Sequence, residues 1–166
     1  MTTTPQTAEG TDRLVNAIPL PAEARTLSTL SRIDYEDAFL VDAGVERSAE
    51  EWVRAMLDDA PLIARARLVA GWLALGLNLR GPWSAGRVLG WQVQHSDADF
   101  VLLAADSWLG LRGQLLFRSE PHGLLFATFI EQNNPLVRSL WVKITQRHQR
   151  VVYSLLVHAA RREASA

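Results

Sequence analysis

The chain has 166 residues, 48% of them apolar and 21% charged, which suits one compact domain and excludes intrinsic disorder as its ruling character. Seventeen Lys and Arg against eighteen Asp and Glu give a net charge of -1, so the bulk attraction that a non-specific nucleic-acid binder needs is missing. The absence of cysteine rules out disulfides, thiolate zinc sites, iron–sulfur ligation and a Cys nucleophile.

All basic residues but Lys143 are Arg, a skew that together with abundant Ala is expected of a GC-rich bacterial genome. Residues 1–12 are Thr-rich, with no basic start and no apolar core. No secretory signal is read there, and a cytoplasmic location is expected. Residues 1–30, broken by Pro5, Gly10, Pro19 and Pro21, read as a flexible extension, and residues 31–163 as a single packed domain.

In that domain, residues 33–41 alternate so that Ile33, Tyr35, Asp37, Phe39 and Val41 share one face of a strand. Ser48 followed by Glu51 is a capping box that starts a helix running to about Asp59. Pro61 opens a second helix that reaches Leu77. The run Leu68 to Leu79 is its most apolar part, and at about 12 residues it falls short of the roughly 20 that a bilayer span takes. Stable membrane insertion is not expected.

From Arg87 the period changes to two. Leu89, Trp91, Val93 and His95 fall on one strand face, and the strands 100–105, 111–118 and 124–131 follow across short turns. The third of these four alternates Leu111, Leu115 and Phe117 with Arg112, Gln114, Leu116 and Arg118, a pattern for one wet face. Asn134 and Pro135 then begin a helix whose stripe is Val137, Trp141, Ile144, His148, Val152, Leu155 and Ala159. The expected class is α+β: a curved antiparallel sheet packed on a long C-terminal helix, with two shorter helices after the first strand.

The run Asp34-Tyr35-Glu36-Asp37-Ala38-Phe39, the helical Glu51-Trp52, the pair Gly90-Trp91, and Asn134-Pro135 followed by Trp141 and His148 resemble the START-like (SRPBCC, helix-grip) superfamily. The nearest echo is a bacterial domain family of unknown function within it. The resemblance implies a bent sheet wrapping the terminal helix with a cavity between them. It also implies a small hydrophobic or amphipathic ligand, as in lipid carriers, or chemistry of the polyketide cyclase and aromatase kind.

His148 is the most informative residue, since its place in an apolar stripe disfavours the charged ring and suits a polar contact to a ligand or proton transfer. A core histidine bonded to a strand carbonyl or side chain is the competing reading. Trp91 and Trp141 face inward as candidate walls, with His95 as a further lining residue. The site is therefore expected at Trp91, His95, Trp141 and His148. Trp83 and Trp108 fall in loops where they could rim an opening. The carboxylates Glu131, Asp106 and Asp99 lie near strand ends where a base could meet a ligand.

His95, His122, His148 and His158 have no metal-ligand spacing, and there is no phosphate loop, nucleophile elbow or dinucleotide fingerprint. Neither metal nor cofactor is implied. Residues 34–60 carry a net -7 and residues 135–163 a net +5, the latter read as the solvated face of a one-sided helix. Three functions stay open at this point: a ligand carrier or sensor, a cyclase-like enzyme, and an accessory interaction domain with a filled core. The oligomeric state is not encoded in any pattern read here.

Overall fold

A computed structural model describes residues 14–79 and 85–166. Its centre is a seven-stranded, wholly antiparallel sheet in the order β1-β2-β7-β6-β5-β4-β3. The strands are β1 (Val15–Ala17), β2 (Tyr35–Asp42), β3 (Arg87–Val88), β4 (Trp91–Ser96), β5 (Phe100–Asp106), β6 (Leu111–Glu120) and β7 (Gly123–Gln132). The helices are α1 (Ala22–Arg25), α2 (Ala49–Val53), which runs on as a π-helical turn over Arg54–Asp58, α3 (Leu62–Ala74) and α4 (Pro135–Ala164). The class is α+β. Among the described residues no helix is long and apolar enough to cross a membrane.

Helix α4 is a single 30-residue element. Asn134 begins it as expected of a cap, its Oδ1 accepting the Val137 amide at 2.9 Å, while its Nδ2 donates to the Leu109 carbonyl at 2.7 Å and ties the helix start to the β5–β6 turn. Val137, Trp141, Val152, Leu155, Leu156, Ala159 and Ala160 are its buried residues. They meet Phe39, Val41, Phe126, Ile130 and the rest of the larger apolar core. Ser48 caps α2 through a complete box with Glu51, and Trp52 of that helix is wholly buried.

The sheet is covered on both faces. Opposite α2 and α4, Ala38, Leu102, Leu116, Leu125, Ala127 and Phe129 form a second core with Ala24 of α1, packed by Ile18, Leu20, Leu27, Leu30 and Ile33. This corrects two expectations. Residues 14–30 belong to the folded unit, where β1 pairs with β2 through Val15–Val41 and Ala17–Phe39. The face of β6 read as wet is dry, with Gln114 1% and Leu116 0% exposed. The physical signal lies in β7, whose sequence is apolar on both of its faces and so belongs to a sheet buried on both sides. The flexible character expected of residues 1–13 falls outside the described residues.

Two further differences lie around β4. Val88 pairs with Trp91, and the two residues between them, Leu89 and Gly90, both have positive φ. That is a two-residue hairpin turn, so the strand begins at Trp91 rather than Leu89. Beyond it, Val93 faces Leu103 while His95 faces Leu102. Two residues, Gln94 and His95, thus stand against one, a β-bulge. It turns His95 onto the opposite face, where the ring stacks on Phe100 with centroids 4.0 Å apart and Nε2 lies 2.6 Å from Asp97 Oδ2.

Candidate functional site

Strand alternation points Tyr35, Asp37, Phe39 and Val41 toward α4. Asp37 is therefore an acid on an apolar face, and its side chain is only 8% exposed. Its Oδ2 accepts the Tyr35 hydroxyl at 2.7 Å and lies 3.1 Å from His148 Nε2. The ring donates to this oxygen in the tautomer that carries its proton on Nε2. Gln149 Nε2 donates to the Tyr35 oxygen at 3.0 Å. A hydrogen-bonded chain thus runs from the exposed Gln149 through Tyr35 to Asp37 and His148. Its outer end opens on a shallow depression lined by Gln146, Gln149, Arg150 and Tyr153.

Trp141 closes the cluster. Its ring meets Tyr35 edge-on at 5.1 Å between centroids and His148 at 5.2 Å. Seven residues separate Trp141 from His148, two turns on the same side of α4, which is why both reach the same point of β2.

Burial, together with the hydrogen bond to Asp37 and the negative charge there, holds the Tyr35 hydroxyl well above the ordinary tyrosine range. A proton held more tightly in the folded state stabilises the fold below the ordinary tyrosine pKa of about 10, and that contribution is lost as pH rises beyond it. Replacing Tyr35 by Phe is therefore expected to flatten the alkaline fall in melting temperature between about pH 9 and 11. A fall as steep as in the parent chain would show that Tyr153 or the basic residues govern it.

Three polar atoms at this interface, Asp37 Oδ1, Trp141 Nε1 and Thr128 Oγ1, are buried with no hydrogen-bonding partner among the described residues. Asp37 and Thr128 are directly paired across β2 and β7, so their side chains stand about 5 Å apart at Cβ on one face. Buried polar groups are almost always partnered. Glu36 Oε2, Trp52 Nε1, Arg65 Nε and Trp91 Nε1 are also buried without a partner among the described residues, so what singles this place out is that two such groups, Asp37 and Thr128, stand opposite each other beside His148.

The four expected site residues separate into three places. His148 and Trp141 are together. Trp91, 3% exposed, is on the same side of the sheet but four strands from β2, about 19 Å at the usual strand spacing. It packs edge-on against Trp72 of α3 at 5.4 Å, and its ring covers Gly113, where an added Cβ would lie 3.3 Å from it. Trp91 therefore fills the hollow that this glycine leaves. His95 is on the other face.

The carboxylates singled out from strand ends do not reach His148. Glu131 accepts the Ser31 and Arg32 amides, Asp106 pairs with Arg112 at 3.1 Å, and the Asp99 amide donates to Asp97 Oδ1. The relevant acid is Asp37, and its signal was present in the alternation of the first strand. Trp108 is 74% exposed and lies against Gly76 of the turn after α3. Trp83 lies outside the described residues. Among the described residues no group of three or more His, Asp and Glu is placed to hold a metal ion. Comparisons of the chain with protein-family models, curated proteins and solved structures find no match.

Proposed function

We propose that the chain is a START-like, helix-grip binding module that holds a small hydrophobic or amphipathic molecule between the sheet and α4. The observation that carries this reading is the set of orphaned polar atoms on Asp37, Thr128 and Trp141 beside His148. A ligand with one polar end satisfies them, and its apolar part lies along Trp141 and Ile130 toward Trp91. Helix α3 supports the reading. It has no fully buried residue, and Leu62, Ile63 and Leu73 are exposed on it; Leu68 and Trp72 are the side chains that hold it to the core, so admitting an apolar guest there means exchanging their contacts for the guest's.

Thr128→Val tests the proposal directly. In the ligand-free chain the change removes an unpaired buried hydroxyl and is expected to raise stability by about 1 kcal/mol or more. The same change is expected to weaken ligand retention about three- to tenfold. Native mass spectrometry of the full chain purified from its own host reads the retained molecule, and uptake of N-phenyl-1-naphthylamine reads the apolar site. Protein that carries no small molecule and takes up no probe saturably is an interaction domain with a filled core, and the proposal then fails.

A second reading is favoured by the Asp37 carboxylate standing within hydrogen-bond reach of His148. In a polyketide cyclase or aromatase-like enzyme, Asp37 would orient the ring while His148 moves protons on a bound polyketone. His148→Gln separates the two. Under the binding reading the co-purified molecule keeps the mass found in the parent chain, whereas under the enzyme reading it is heavier by the water lost on cyclisation.

A further inference from the structure

An open hollow of about 170 Å³ lies on the other side of the sheet from α4, lined by Arg87, Gln92, Gln94, Ala104, Arg112 and Gln114. Register explains it. Arg87, Gln92, Ala104 and Gln114 are successive cross-strand partners over β3, β4, β5 and β6, so the methyl group of Ala104 lies between two long amides and leaves a depression above itself. Asp106 and Arg112 are paired in the adjacent row on the same face.

Two of the amides around it, those of Gln114 and Gln94, are held in place. Gln114 is buried, and its amide is fully used: Oε1 accepts from Ser28 Oγ and the Thr29 amide, and Nε2 donates to Thr29 Oγ1 and Gln94 Oε1. That last bond, with a second from Thr29 Oγ1, fixes the acceptor end of Gln94 and leaves its Nε2 donor pair turned away from the network. Arg87 makes one bond, from Nη1 to the Gly90 carbonyl, and Arg112 one, from Nε to Asp106. Most of both guanidinium forks has no partner among the described residues, and neither has the Gln92 amide. The hollow thus offers two cationic forks, the side-chain amides of Asn78, Gln92 and Gln94, and the carboxylate of Asp106.

We infer that this hollow is a second binding site, for a small hydroxylated carboxylate such as a sugar acid. Arg87 takes the carboxylate, because a guanidinium fork matches two coplanar oxygens. Gln92 and Gln94 take hydroxyl groups as donors or acceptors, and Asp106, held by Arg112, accepts a hydroxyl proton. The volume corresponds to about six waters at the bulk share of roughly 30 Å³ each, which suits a polyol chain rather than a lipid tail. The inference does not rest on the reading of the α4 face.

Titration of the full chain with D-gluconate, followed calorimetrically and by amide NMR shifts, tests it. Saturable binding is expected, with shifts at β4, β5 and β6. Arg87→Lys is expected to weaken it about tenfold by removing the fork while keeping the charge. Gln92→Leu, which breaks no side-chain hydrogen bond among the described residues, is expected to weaken gluconate and leave stability unchanged. Thr128→Val, on the other face, should leave gluconate binding as it is. Glucose, which lacks the carboxylate, should bind at least tenfold more weakly. Absence of saturable gluconate binding, equal affinity in Arg87→Lys, or inorganic phosphate binding as tightly as gluconate would each overturn the assignment.

Discussion

Deleting residues 1–30 is expected to leave a chain that does not fold cooperatively. Leu102, Leu116, Leu125 and Phe129 are each no more than 2% exposed on the face that residues 18–30 cover. Exposing a buried Leu or Phe costs about 1.5–3 kcal/mol, so these four account for about 6–12 kcal/mol. That is comparable with the whole stability of a typical domain, about 5–15 kcal/mol. The deletion also strands Gln114, which loses its bonds from Ser28 and Thr29, and removes β1 from the edge of the sheet. A gentler form of the experiment keeps the full chain and replaces Ala24, wholly buried in that second core, by Glu. Heat unfolding and near-ultraviolet circular dichroism read both variants. A chain starting at residue 31 that melts cooperatively, within a few degrees of the parent, would show that the N-terminal layer is an accessory to the fold.

The deletion also bears on what a pattern can disclose. The sequence marked α4 well because a cap, a proline and a seven-member apolar stripe agree on one helix. It marked five of the sheet's strands, three by period two, which is hard to produce otherwise, and two as apolar segments between turns. Strand β1, three residues near a Pro-Leu-Pro stretch, is too short to display any period. The residues that cover the second face are single apolar side chains spaced along a loop, and their common target is visible only from β7, where Leu125, Ala127 and Phe129 are as apolar as Leu124, Phe126 and Ile130.

The site was legible in part. Periodicity placed Asp37 on the inner face of its strand and His148 on the inner face of its helix. It could not say that they meet, because 111 positions separate them and their contact depends on where α4 crosses β2. His95 was misplaced for a sharper reason. A bulge adds one residue without any change of composition, so the alternation reads on smoothly through Gln94 while the chain has changed faces. The same bulge places Gln94 and His95 together on the side where Gln94 meets Gln114.

The Asp37–His148 pair is expected to be strongly coupled. Replacing His148 by Leu leaves the Asp37 carboxylate buried with the Tyr35 hydroxyl as its one remaining donor. A buried polar group left without its hydrogen-bonding partner costs about 1–3 kcal/mol, and more where the group is charged. His148 is 20% exposed, so water reaches part of the pair, and about 3 kcal/mol is the expected loss. Asp37→Leu should cost less, about 1–2 kcal/mol, because the ring can turn its nitrogen toward water while Tyr35 keeps its bond from Gln149. Combining the two replaces the pair by apolar groups, an exchange that is often neutral. The double variant is therefore expected to be more stable than His148→Leu alone, with a coupling energy of about 2 kcal/mol. Urea unfolding of the four chains at neutral pH measures it. Additive losses, or a loss below about 1 kcal/mol in His148→Leu, would show that Asp37 is solvated without the ring, and the pair would then hold neither a ligand nor the helix in place.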